Sequence, residues 1–210
     1  MKKRLAIAIC VAAVLWFYMF SPWTSGLTNF WITMAVSAVI LTSMALAFSP
    51  VKMPKVEKPL LQIVGGVLIA LFLWGVFWVG DKASALLFDF ARPEVDNIYA
   101  MKTGLPSWVI GLLLLLLIGP AEEFFWRGFV QRNMATVLGG AKYPETMAFL
   151  ITAAIYALVH VWSFNFMLVM AALVAGCVWG LLYRVCPKSL PALIVSHAIW
   201  DALVFVWMPI

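Results

Sequence analysis

Charged side chains are scarce in this sequence. Asp, Glu, Lys and Arg make up 11% of the 210 residues, against roughly 25% in a soluble domain, while 65% are hydrophobic and the mean hydropathy is +1.04. No polar segment is long enough to form a separate soluble domain. Cysteine is nearly absent: Cys10, Cys177 and Cys186 lie within or at the ends of apolar runs, with no CxxC spacing. An odd count without that spacing excludes a disulfide framework and a thiolate metal site, and predicts buried, inert thiols. Histidine is scarcer still, with only His160 and His197, and no HExxH pair exists.

What is present is apolar sequence in runs of about 20 residues, the length a helix needs to cross ~30 Å of hydrocarbon. The expected fold is all-α, a polytopic membrane helix bundle of about seven transmembrane helices, with eight as the alternative count. The start, MKKR followed by Leu5 to Phe20, has the basic head and apolar middle of a signal peptide but no A-x-A cleavage site, and reads as span one. Further spans are expected at about Leu27 to Phe48, Leu60 to Val79, Pro106 to Met134, Pro144 to Val161, Phe164 to Val185 and Leu190 to Trp207. The basic linker VKMPKVEKP separates spans two and three, and Pro120 is expected to kink span four. Between Gly80 and Pro106 the chain turns mixed, and the amphipathic piece SALLFDF is expected to lie in the interface. Residues 1–105 then supply spans one to three and this external segment, and residues 106–210 supply four further helices of one integrated membrane domain.

The basic residues serve topology. With the N-terminus in the cytoplasm, Lys2, Lys3, Arg4, Lys52, Lys55, Lys58, Arg127, Arg132, Lys142, Arg184 and Lys188 fall on or toward the inside, and only Lys82, Arg92 and Lys102 outside. The net charge of +5 therefore marks no nucleic-acid surface. Trp16, Tyr18, Trp23, Trp108, Tyr143, Trp162 and Trp207 near span ends read as an interfacial aromatic belt without chemistry.

Six ionisable residues remain at membrane depth: Glu122, Glu123 and Arg127 in span four, His160 in span five, and His197 and Asp201 in span seven. A buried Asp or Arg costs ~2.5 to 3.5 kcal/mol on insertion scales, so an unpaired set would cost on the order of 10 kcal/mol. Convergence is expected. At ~1.5 Å per residue, Glu122 lies ~15 Å from the inner end of span four, His160 ~24 Å along span five, and His197 and Asp201 ~11 and ~17 Å along span seven. Glu123 and Arg127 are i, i+4 and share a helix face, whereas Glu122 points about 100° away. Glu123 is therefore the natural partner of Arg127, and Glu122 is left without a local counter-ion in a desolvating environment, as befits a general base. His197 and Asp201 are also i, i+4, with Ser196 and Trp200 beside them. Small residues, Ala153, Ala154 and Ala157 in span five and Ala171, Ala172, Ala175, Gly176 and Gly180 in span six, let these helices approach closely. Tyr156 reads as packing.

In order, the motifs are Glu122-Glu123-x-x-x-Arg127, Tyr156-x-x-x-His160 and His197-x-x-x-Asp201. This pattern resembles the CAAX-protease and bacteriocin-processing family of intramembrane endopeptidases, also called the Abi family, over about residues 106 to 207. Two positions depart from that family's pattern: Tyr156 stands where Phe is usual, and Asp201 where Asn is frequent. An Asn side chain can donate to an oxyanion and an ionised Asp cannot. The resemblance implies hydrolysis of a peptide bond in a membrane-associated peptide or protein. It implies that Glu122 and His160 activate a water, that His197 and Asp201 stand at the oxyanion, and that Glu123 and Arg127 give structural support. The implied cofactor is none, or one zinc held by His160, His197 and Glu122. The partners are the bilayer and the substrate, the expected location is a bacterial cytoplasmic membrane, and no nucleic acid is involved. Two readings from other classes are a proton-coupled transporter or relay, since intramembrane Glu, His and Asp also build proton paths, and a non-catalytic immunity or scaffold protein.

Overall fold

Seven helices that are long and apolar enough to cross a membrane are found among the described residues of the computed structural model, which are 1–51, 53–55 and 58–210. Lys52, Val56 and Glu57 of the expected basic linker lie outside that range. The spans are α1 (Lys2–Phe20), α2 (Phe30–Phe48), α3 (Pro59–Leu87), α5 (Ser107–Val137), α6 (Pro144–Leu158), α7 (Phe166–Val185) and α8 (Pro187–Trp207), and a short α4 (Ala91–Ala100) lies between α3 and α5. The described residues contain no strand.

Helix starts follow the sequence. Pro59, Pro144 and Pro187 open α3, α6 and α8, where a missing N–H costs nothing and the fixed φ suits the first turn. The side chain of Asn29 accepts from the backbone N–H of Trp31 and Ile32, and that of Asn165 from Leu168, capping α2 and α7. In α5 the turns at Leu114–Ile118 and Phe124–Gln131 are widened to π geometry, on either side of Pro120. Proline lacks the N–H for a regular turn and crowds the carbonyl four residues back, so the helix accommodates it by bulging.

One external element differs from expectation. The third span does not end near Val79: α3 runs on for 29 residues through Leu87, taking in the first part of SALLFDF, and the short helix is Ala91–Ala100. No proline or glycine occurs between Gly80 and Pro93, so the helix continues through Asp81 and Lys82. Arg92 of α4 then returns to Asp81 at 3.0 Å and pairs with Asp96 at 2.9 Å. The backbone N–H of Met167, at the start of α7, donates to Glu94 at 2.8 Å. The cysteines also depart from expectation: Cys10 and Cys186 are exposed and Cys177 is half-buried, all three free. Packed positions are filled by alanine, glycine and large aromatics instead, and Cys10 lies off the inward Leu5, Ala8, Ala12, Trp16 face of α1.

Two apolar clusters carry the bundle. One joins α1 and α2 to Phe125, Trp126 and Phe129 of α5, and the other joins α3 to α7 and α8 through Leu73, Trp179 and Trp200. Gly119 sets the approach of α5 to α8, since a Cβ there would stand 2.7 Å from Cα of Ala198. That contact brings Glu122 and Glu123 alongside His197, at the seam between the clusters.

Candidate active site

The two glutamates of α5 face different neighbours. Glu123 is fully buried, and its Oε1 accepts from Nη1 of Arg127 at 2.7 Å and lies 2.8 Å from Nδ1 of His197. Arg127 also donates to the Gly176 carbonyl of α7 at 3.3 Å, and its guanidinium stands 5.1 Å from the Tyr156 ring centroid and 5.5 Å from that of Trp179. Trp179 stacks on His197 with ring centroids 3.9 Å apart and donates to Ser196 at 3.0 Å. His197 therefore has its ring plane fixed by an indole and one nitrogen fixed by a carboxylate. Its Nε2 lies 3.5 Å from Oδ2 of Asp201, one turn on.

Glu122 sits on the other side of this fixed group. Its Oε2 accepts from the Tyr156 hydroxyl at 2.9 Å, and Oε1 has no protein partner among the described residues. His160 follows the end of α6, where the chain tightens and its backbone N–H bonds the Ala157 carbonyl at 3.1 Å. The Tyr156 carbonyl left over by that tightening is 2.8 Å from Nδ1 of the His160 ring. A carbonyl can only accept, so Nδ1 carries the proton and Nε2 the lone pair. An indole N–H can only donate, and Nε1 of Trp16 meets that lone pair at 3.1 Å. Both contacts assign the same tautomer.

Glu122, Tyr156, His160, His197, Trp200 and Asp201 line one cavity of about 90 Å³. That is room for several waters, at ~10 to 15 Å³ each. Glu123 and Arg127 are outside its wall, behind His197. Two larger spaces adjoin it on the side where α1 ends. One, of about 500 Å³, is edged by Ser25, Thr28, Asn29, Asn97 and Thr103 and shares Phe20, Phe30, Met101 and Leu168 with the cavity. The other, of about 360 Å³, is almost wholly apolar, between α3, α4, α7 and α8, and shares Leu168, Ala171, Trp200 and Phe205.

All six residues singled out in the sequence thus belong to one cluster. Two readings need correction. Trp16 is no belt residue: it is 2% exposed and bonded to His160, whereas Trp23, Trp108, Tyr143 and Trp207 are well exposed. Its signal was the spacing Leu5, Ala8, Ala12, Trp16, an inward helix face. Tyr156 does pack, against Trp126, but it also hydrogen-bonds Glu122. Among the described residues no three His, Cys, Asp or Glu side chains are grouped as a metal site, His160, His197 and Glu122 included. Both nitrogens of His160 and Nδ1 of His197 are already committed to protein partners.

These features define a multi-pass membrane helix bundle with a cavity lined by titratable groups among its spans. Residues 104–203 match the family model described as Rce1-like, type II CAAX prenyl endopeptidase Rce1-like, and the matched segment contains all three motifs. That match spans just under half of the chain and agrees with the family resemblance that the three motifs carry. Comparison with curated proteins and with solved structures gave no match.

Proposed function

We infer that this protein is an intramembrane endopeptidase of a bacterial cytoplasmic membrane, cleaving a membrane-associated peptide or protein by water activated at Glu122. The observation that carries the reading is the cavity on which Glu122, His160, His197 and Asp201 converge, with one oxygen of Glu122 unpartnered.

Glu122 takes a proton from a cavity water as the water oxygen bonds the scissile carbonyl carbon. His160 can share that water only when the Trp16 indole moves off Nε2. His197, flanked by Glu123 at Nδ1 and Asp201 at Nε2, can carry an N–H on both nitrogens and offers one toward the developing oxyanion. Glu123 and Arg127 keep that ring from turning. The amine leaves with the proton held by Glu122. The apolar space beside the cavity suits a hydrocarbon-like part of the substrate, and the polar space suits its hydrophilic chain. With the N-terminus in the cytoplasm, both open toward the external side.

The test compares protein termini in membranes of cells expressing the wild type or Glu122→Gln. Termini present with the wild type and absent with Glu122→Gln are expected. Equal sets of termini refute the reading.

A further inference from the structure

A peptide-bond hydrolysis needs donors for the oxyanion as well as a base, and the cavity is short of them. Asp201 faces Nε2 of His197 with Oδ2 at 3.5 Å, where its carboxylate accepts and does not donate. The single N–H of His160 is held by the Tyr156 carbonyl. Trp200 has an indole N–H without a partner, but the Nε1 atom is sealed from any water-sized space, with Trp200 wedged against Phe77 and Trp179. Trp31 gives its indole N–H to the Met101 carbonyl at 3.0 Å. Besides His197, that leaves among the described wall residues one side chain with an O–H or N–H to offer: Tyr156, whose hydroxyl lies 2.9 Å from Glu122 Oε2.

We propose that the Tyr156 hydroxyl is a further catalytic group, donating to the oxyanion of the substrate in place of an amide at position 201. This rests on the hydrolytic reading above. In the resting site the hydroxyl donates to Glu122, the nearest carboxylate. When water attacks, its oxygen bonds the carbonyl carbon, the carbonyl π pair moves onto the carbonyl oxygen, and the water proton goes to Glu122. Glu122 is then neutral and the new negative charge is on the substrate oxygen, so the Tyr156 hydrogen bond transfers from the weaker acceptor to the stronger. When the tetrahedral carbon collapses, the C–N bond breaks and the nitrogen takes the proton back from Glu122. The hydroxyl returns to Glu122. Tyr156 is held for this: its ring meets Trp126 edge-on at 5.3 Å, and a Cβ at Gly176 would stand 3.1 Å from its Cδ1. The same coupling accounts for two residues at once. On this proposal the hydroxyl at 156 does the work of a donor that an acid at 201 does not supply.

The experiment counts Glu122-dependent termini over time in membranes of cells expressing each variant at equal level. Tyr156→Phe keeps ring and packing and removes only the hydroxyl, and should slow their appearance by about 10²-fold, the usual loss for one oxyanion donor. Tyr156→Phe with Asp201→Asn restores a side-chain donor and should recover at least about tenfold of that loss. Tyr156→Phe at the wild-type rate overturns the proposal. So does a slow Tyr156→Phe that Asp201→Asn does not rescue, which would make the hydroxyl a structural tie to Glu122. Glu122→Gln with wild-type termini would instead remove the hydrolytic reading itself, and the proposal with it. Glu122→Gln inactive beside a fully active Tyr156→Phe removes the tyrosine role alone.

Discussion

The two sides of the buried cluster are built differently, although they begin at adjacent residues. On the Glu123 side the groups hold one another: a guanidinium and an imidazole meet one carboxylate oxygen at 2.7 and 2.8 Å, and an indole stacks on that imidazole, while Oε2 of Glu123 and Nε of Arg127 are buried without a partner among the described residues. On the Glu122 side the only donor to the carboxylate among the described residues is a tyrosine hydroxyl, and a cavity of about 90 Å³ lies in front. Roughly 100° of helix phase separates neighbouring residues, enough to turn one glutamate into a fastener and leave the other accessible. Stability and chemistry are thereby assigned to different members of one pair.

The comparison can be broken most forcefully at the tied side. Arg127→Leu leaves Glu123 buried without its cation, and should destabilise the protein by about 3 to 5 kcal/mol, the range for breaking a buried ion pair. Thermal unfolding in detergent measures this, and Glu122→Gln should unfold close to wild type. A smaller loss is expected on the open side: His160→Ala should slow cleavage by about 10²-fold while the protein still inserts and purifies. Smaller again is Trp16→Phe, which frees the His160 lone pair for water. The rate of terminus formation should stay within about fivefold of wild type and not fall below it, since an exchanged hydrogen-bond partner is worth only ~1 kcal/mol. The smallest effect is none: cleavage by water activated at Glu122 should persist after treatment with a chelator. Activity lost to the chelator and restored by zinc would contradict that.

Much of this layout is legible in the residues themselves. Spans are readable because a bilayer imposes a length, and the Glu123–Arg127 tie because i, i+4 positions share a helix face. The meeting of α5, α6 and α8 follows from the cost of leaving Glu122, His160 and His197 apart in hydrocarbon. The roles of Trp16 and Tyr156 were hidden, since an aromatic at helical spacing looks the same whether or not its polar tip has a partner. The Trp16 to His160 bond joins positions 144 residues apart, between a helix outside the family match and one inside it. Nothing local encodes it. The end of α3 was misread for a related reason: SALLFDF is amphipathic, but with no breaker before it the helix simply continues to Leu87.

The central claim is that Glu122 supplies the base while Glu123 supplies the scaffold. Its most direct test is the cleavage rate of Glu122→Gln, measured as Glu122-dependent termini in membranes, together with its thermal midpoint. The account predicts a loss of at least about 10²-fold in rate with a midpoint near wild type. Wild-type cleavage by Glu122→Gln, or inactivity that comes only with unfolding, would contradict it.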